Sequence, residues 1–425
     1  MKILIKGGRV IDPANNIDDI RDILIESTRI ARIGKGLNNG ADKTIDAAGK
    51  IVMPGFVDMH VHLREPGRED KETVATGTQA ALRGGITTML AMPNTIPTID
   101  SEESARLIAS IIRDTARSRV LICGAITKGR MGKVLADMAR LKKEGVIAVS
   151  DDGSSVDSSD ILLKAMKKAR EQKMLVICHC EDKAMSAGGV MNLGANSTRL
   201  GLRGISNESE YKRIQRDIML AQKAKCSVHI AHVSCAESIE IIAKARKKGV
   251  TLTCETAPHY FSLTEEAVLD YDTNKKMNPP LRTVKDRDAV RRGLVDGVID
   301  VIASDHAPHT VAEKEIEFDR AEFGVTGLET EIGVAATYLV HEGLLSWSEL
   351  VRKMALNPAK ILGIDKGTLS VNKDADIIIV DPSAEWTVNA ADFASKSKNS
   401  CFLNERLKGK VVKTLYRGTV AYSAD

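Results

Sequence analysis

Aromatic side chains are scarce in this sequence: six Phe, six Tyr and two Trp make up 3% of 425 residues. With 43% apolar residues overall, a core of this size has to be packed from aliphatic side chains. Paired cysteines are missing as well. The seven cysteines are odd in number and contain no CxxC, which excludes a secreted disulfide framework and fits a reducing compartment. No apolar run approaches the roughly 18–20 residues that span a bilayer. The opening MKILIKGGRVID reads as a strand and turn, without the apolar stretch and small-residue cleavage site of a signal peptide. Charge of one sign is not in excess: 61 Lys and Arg against 57 Asp and Glu leave a net +4. The basic clusters KAMKKAR and KARKKG lie on amphipathic segments and read as solvated helix faces, not a nucleic-acid surface. Repeats, low-complexity tracts and long linkers are also lacking. A cytoplasmic enzyme without nucleic-acid or membrane partners is the expectation.

What is present is an alternation. From Gly55 to about Gly363, eight short apolar runs (FVDMHVH, ITTMLAM, VLICGAI, VIAVSDD, MLVICHC, SVHIAHV, VTLTCET and VIDVIAS) are separated by helical patterns such as Glu102–Ala116, Ser159–Gln172 and Ala236–Lys248. Ser234 with Glu237, and Ser346 with Glu349, have the spacing of capping boxes. Eight strands alternating with helices predict an α/β fold, a parallel (β/α)8 TIM-like barrel over residues 55–365. Residues 1–54 and 366–425 hold short alternating strands that are small to fold alone. They are expected to pair into one small β-sandwich module built from both chain ends.

The apolar runs end in polar residues: His60 and His62, Asn94, Asp152, His179, His232 and Asp305. The C-terminal ends of barrel strands converge on one mouth, where active sites are built. A purely structural barrel gains nothing by burying such groups there. In a strand, residues i and i+2 share a face, so His60 and His62 point into one site, with Asp58 deeper on the same face. Cys178 and Cys180 alternate with His179 and are expected to face the helices, which argues against a thiolate site. His229 and His232 cannot share a strand face; His232, nearer the strand end, is the expected ligand and His229 a core or helix-facing residue. Imidazoles and carboxylates with an open position suit Zn²⁺ acting on water. Asp305 at the last strand end has the chemistry of a proton shuttle.

Several blocks carry a resemblance. PGFVDMHVHLREPG over residues 54–67, MPNT over 92–95, DDG over 151–153, MNPPLR over 277–282, SDHAPH over 304–309, NPAK over 357–360 and the tail GTLSVNKDADIIIVD occur in order. The set closely resembles the dihydroorotase family of the amidohydrolase superfamily, in its bacterial class I form, across nearly the whole chain. The resemblance implies one or two zinc ions held by His60, His62, Asp152, His179, His232 and Asp305, with Asp305 also the acid/base. Substrate contacts fall on His62, Arg64, Asn94, Asn278 and His309, with backbone help at Phe323 and Gly324. Arg64 offers a forked cation for a carboxylate, and Asn94 offers both donors and acceptors. The implied reaction is the reversible cyclisation of N-carbamoyl-L-aspartate to L-dihydroorotate in pyrimidine synthesis. A homodimer, and a complex with aspartate transcarbamoylase, are the implied partners.

Hydantoinase-like relatives bridge two metals with a carboxylated lysine at the fourth strand end. Here that run, VIAVSDDG, has no lysine there, and the resemblance implies that Asp152 can take the bridging place. The alternatives are another cyclic-amide hydrolase (an allantoinase or hydantoinase) and a scaffold subunit of aspartate transcarbamoylase that does no chemistry; all six matched ligand positions are intact. His259, after ETAP, is expected to support the site without acting in catalysis. Asn372 stands where the tail motif often has glycine, and asparagine tolerates the left-handed turn. The charged segment 310–327 reads equally as a lid or an ordinary surface loop.

Overall fold

The computed structural model describes residues 1–37 and 40–424. Its centre is a parallel sheet of eight strands: β1 Phe56–Val61, β2 Ile86–Ala91, β3 Arg119–Gly124, β4 Val146–Ser150, β5 Leu175–Cys178, β6 Val228–Ile230, β7 Leu252–Thr256 and β8 Val301–Ile302. Each pairs with the next in sequence order. The sheet closes where Val61 bridges His306 in parallel and the His62 N–H donates to the His306 carbonyl at 2.9 Å. All eight predicted runs are barrel strands. They are aliphatic on both faces because helices cover the outside and side chains fill the inside. Leu90, Met92, Cys123, Ala148, Ile177 and Ala231 form one buried interior cluster.

The helices lie where the periodicity puts them, at Glu102–Thr115, Ser159–Glu171 and Ala236–Lys247. Ser346 and Glu349 do form a capping box. Ser234 and Glu237 do not. That helix has Cys235 as its N-cap, and buried Glu210 of the preceding helix accepts from the backbone N–H groups of Ser234 and Cys235. A carboxylate brought by tertiary packing thus replaces the local cap. The seven cysteines are free and buried. Cys178 and Cys180 belong to the large cluster between sheet and helices, and the Cys180 thiol faces Asp217 at 3.5 Å.

Both chain ends enter one further sheet of eight strands. Ile51–Pro54 is its seam, parallel to Lys2–Asp12 on one side and antiparallel to Ile377–Thr387 on the other. The sheet wraps around its own apolar core of Ile3, Ile5, Val10, Ile23, Ile25, Val52, Ile377, Ile379 and Leu415. Its extremities meet: the Gly418 N–H donates to the Ala375 carbonyl, whose own N–H donates to Thr28. Asn372 has φ 68°, the left-handed turn expected of it. Gly55 joins this sheet to β1, and only glycine fits, since a Cβ would stand 2.2 Å from Thr87 Oγ1. The C-terminal segment also leaves its sheet to wall the barrel mouth. Ser395 and Lys396 bond Glu72, and Asn399 accepts from the His309 N–H at 3.0 Å.

Candidate active site

The strand ends converge as expected. Asp152 is the hub, its Oδ1 lying 3.3 Å from His60 Nε2, 3.5 Å from His179 Nδ1 and 3.6 Å from His232 Nε2. Its Oδ2 lies 3.4 Å from His62 Nε2. Asp305 Oδ1 approaches His60 Nε2 at 3.7 Å and His62 Nε2 at 3.5 Å. Two constellations of ligand atoms, His60 with Asp152 and His232, and His60 with His62 and Asp305, have the compactness of metal sites. Chain direction accounts for His232. His229 and Ala231 face the barrel interior with the strand's alternation, and His232 would face away, but its φ of 34° turns it back into the mouth. Asp305 (φ 49°) and Arg64 (φ 62°) share this uncommon conformation.

The ring nitrogens away from the centre are engaged. His60 Nδ1–H donates to Glu255 Oε1 at 2.7 Å, and His62 Nδ1–H donates to Asn94 Oδ1 at 2.7 Å. His179 Nε2 lies 3.3 Å from Glu181 Oε2. In the neutral rings of His60 and His62 such a bond leaves the inward Nε2 as a lone pair, while the inward Nδ1 of His179 meets His232 Nε2 at 2.8 Å. His60 Nε2 and Asp152 Oδ1 are buried and make no hydrogen bond. Such orphans are costly in an apolar barrel unless a cation satisfies them. The electrostatics agree. Burial opposes protonation of His60 and His179, but Asp152 outweighs it, holding His60 well above its usual range and His179 up to about 9. Burial likewise pushes Asp152 upward, yet the histidines hold it well below the carboxylate range. The donor set therefore fits a divalent ion.

The polar residues around this centre are also placed. Arg64 is partly buried, 3.1 Å from the Pro308 carbonyl and 3.3 Å from His309 Nε2, and among the described residues no carboxylate forms an ion pair with it. Asn278 donates to Glu181 Oε2 at 3.2 Å. His309 Nε2–H donates to the Phe323 carbonyl at 2.8 Å. Gly324 sits against Ala307 with φ 125°, its carbonyl taken by Lys314 and Asn399. Segment 310–324 carries a short helix at Val311–Lys314 and is tied down by buried Lys314 and Lys276. His259 is buried, and burial takes its imidazole down to about 4.

Sequence reasoning missed Glu255, Glu181, Lys71 and Asn399. Glu255 carried a readable signal, as a charge at the end of an apolar run on the same face as Thr253. Lys71 and Asn399 had none, because only the fold brings them to His309.

A family model described as "Dihydro-orotase-like" matches residues 49–238. A relative named dihydroorotase from Elusimicrobium minutum is 52% identical over 98% of this chain and 97% of its own. Another of that name, from Geobacter metallireducens, is 49% identical over 99% of this chain and 100% of its own. Among solved structures, the L-hydantoinase (dihydropyrimidinase) of Arthrobacter aurescens superposes with a TM-score of 0.89 at 27% identity, covering 98% of this chain and 95% of that one. That neighbour shares the barrel and the terminal sheet. The fourth strand here nevertheless ends in Ser150-Asp151-Asp152, with Lys142 and Lys143 back on the preceding helix. Identity near one half, sustained from end to end, makes this chain a member of the dihydroorotase family.

Proposed function

We infer that the chain is a dihydroorotase, interconverting N-carbamoyl-L-aspartate and L-dihydroorotate for pyrimidine synthesis. One observation carries the substrate assignment beyond family membership: among the described residues, Arg64, beside the histidine cluster, forms no ion pair with a carboxylate. A half-buried guanidinium without a counter-ion is matched to a substrate that brings one, as dihydroorotate does and an unsubstituted hydantoin does not.

His60, His62, Asp152, His179, His232 and Asp305 are proposed to hold one or two zinc ions, with Asp152 between the two groups of histidines. When bound, zinc supplies Lewis acidity, bringing the pKa of water from 15.7 to about 7 and polarising a carbonyl. The chain's own residues do the rest. Arg64 and His309 seat the substrate carboxylate, and the amide groups of Asn94 and Asn278 contact the ring. The Phe323–Gly324 backbone closes one side, and His62 borders the ring while serving as a ligand. Asp305 accepts the proton of the attacking water as oxygen adds to the ring carbonyl. It then delivers that proton to the ring nitrogen as the C–N bond breaks. Cyclisation reverses each transfer.

Residues 1–54 and 366–425 form the β-module and residues 55–365 the catalytic barrel in this reading. Among the described residues no helix is long and apolar enough to cross a membrane. A cytoplasmic homodimer, able to associate with aspartate transcarbamoylase, completes the proposal.

The test is dihydroorotate hydrolysis and carbamoyl-aspartate cyclisation by the purified protein, before and after chelation and zinc return, with Asp305→Asn alongside. Activity in both directions that is lost with the metal, restored by it, and lost in the folded variant is expected. Turnover of hydantoin or allantoin but not dihydroorotate would overturn the assignment. Full activity of Asp305→Asn would remove its role.

A further inference from the structure

Beside the cluster lies a lysine that the chemistry above does not use. Lys71 is 4% exposed. Its Nζ lies 3.0 Å from His309 Nδ1 and 2.9 Å from Glu313 Oε1. An ammonium has three donors and no acceptor. The nitrogen it faces must therefore accept, and His309 must be neutral with its proton on Nε2. The other face of the ring agrees, because Nε2 sits 2.8 Å from the Phe323 carbonyl, which only accepts. Arg64 Nη2, which also only donates, is 3.3 Å from the same Nε2. The carbonyl contact is the shorter by half an ångström, so the proton stays on Nε2 and the Arg64 contact is not a hydrogen bond to it. The Nε2–H, held here by the Phe323 carbonyl, and the Arg64 guanidinium thus stand side by side at the mouth, where an anionic acceptor would compete with the carbonyl for the imidazole proton.

We propose that Lys71 is a positioning residue that fixes the tautomer of His309, keeping the proton on Nε2 beside Arg64, where the substrate carboxylate takes it over from the Phe323 carbonyl. The proposal rests on the dihydroorotase reading for the identity of that carboxylate, but not for the tautomer. The charges around His309 decide what happens without Lys71. Arg64 and Lys314 disfavour an imidazolium. Glu313 favours one, with Oε2 3.5 Å from Nδ1. In the intact protein Glu313 is occupied by Lys71, by Arg68 at 2.6 Å and by the Thr310 N–H at 3.0 Å. Burial, with the neighbouring cations, takes His309 down to about 2. Removing Lys71 leaves a carboxylate beside Nδ1 with nothing between them. The proton then moves to Nδ1, and the donor facing the substrate is lost.

The experiment is ¹⁵N-histidine NMR of the zinc-loaded enzyme, with His309 identified as the ring signal absent from His309→Asn. The wild-type protein is expected to show Nε2–H with an unprotonated Nδ1, unchanged from about pH 6 to about pH 8. In Lys71→Met the ring should titrate within that range or carry its proton on Nδ1. KM for dihydroorotate should rise about tenfold, with kcat moving less. Lys71→Arg, which also only donates, should restore the wild-type signal. A wild-type His309 protonated on Nδ1, or an unchanged signal in Lys71→Met, overturns the proposal. Should Lys71→Met not fold, the wild-type and Lys71→Arg spectra decide alone. If the spectra behave as expected while dihydroorotate is not turned over, the activity assignment fails and the role of Lys71 in fixing the tautomer stands.

Discussion

Glu255 accepts the Nδ1–H of His60 at 2.7 Å, with both groups buried. Its other oxygen faces His229 Nε2 at 3.1 Å, and His229 Nδ1 lies 2.7 Å from Thr253 Oγ1. One carboxylate therefore braces two imidazoles, and the far one is anchored to the barrel wall. Burial raises the pKa of Glu255, but both histidines hold it far below the carboxylate range. Glu255→Ala should weaken metal retention about 10–100-fold. The measure is the chelator concentration that strips half the zinc. Retention equal to wild type would show that His60 needs no brace.

Arg64→Met should discriminate between substrates. Loss of a charge-assisted pair costs about 1.5–3 kcal/mol, so kcat/KM for dihydroorotate should fall at least tenfold. Any residual turnover of a neutral ring such as dihydrouracil should change little. Equal losses on both rings would place Arg64 in the architecture and not in recognition.

At Gly324 an added Cβ would lie 2.7 Å from Ala307 Cβ, 2.9 Å from the Ala307 carbonyl and 3.3 Å from His309 Nε2, at φ 125°. Gly324→Ala should destabilise the protein by about 1–3 kcal/mol. It should also raise KM by displacing His309. Urea unfolding and steady-state kinetics check the two effects, and an unchanged KM would place the ring outside the binding surface.

Lys314 gives a dependence on pH. Its buried ammonium donates to the carbonyls of Glu322 at 2.8 Å and Gly324 at 3.0 Å, without a carboxylate partner among the described residues. Burial, then Lys276, lowers its pKa from 10.5 to about 7. Between those values the unfolded chain holds the extra proton. Stability from this group therefore rises with pH above about 7, by at most about 1.4 kcal/mol per pH unit. Lys314→Met should flatten that rise in urea midpoints taken at about pH 7, 8 and 9. Parallel slopes for the two proteins would refute it.

The barrel was legible because each strand is a short aliphatic run, and the histidine–carboxylate cluster because imidazoles and carboxylates stand where such runs end. His232 was legible by position although its parity is wrong, since a backbone turn at the strand end corrects its direction. Asn94 was singled out by its strand-end position, and its Oδ1 accepts from His62 Nδ1–H, a contact that position alone does not reveal. The Ser234 cap was misread because Glu210, distant in sequence, supplies the acceptor that the local spacing seemed to offer. Lys71 and Asn399 left no local trace, since their meaning lies in contacts across the barrel mouth.

The shared terminal sheet has a temporal consequence. Ile51–Pro54 bonds to Ile377–Val380 with the whole barrel between them in sequence. During synthesis the first strands emerge early, while their partners are among the last residues made. Until then the seam strand is a bare, wholly apolar edge, of the kind that pairs with other chains. The barrel can assemble in the meantime, because its strands pair in sequence order. Completion of the terminal sheet is thus a late, long-range closure, and a ribosome-stalled or C-terminally clipped chain would keep that edge open.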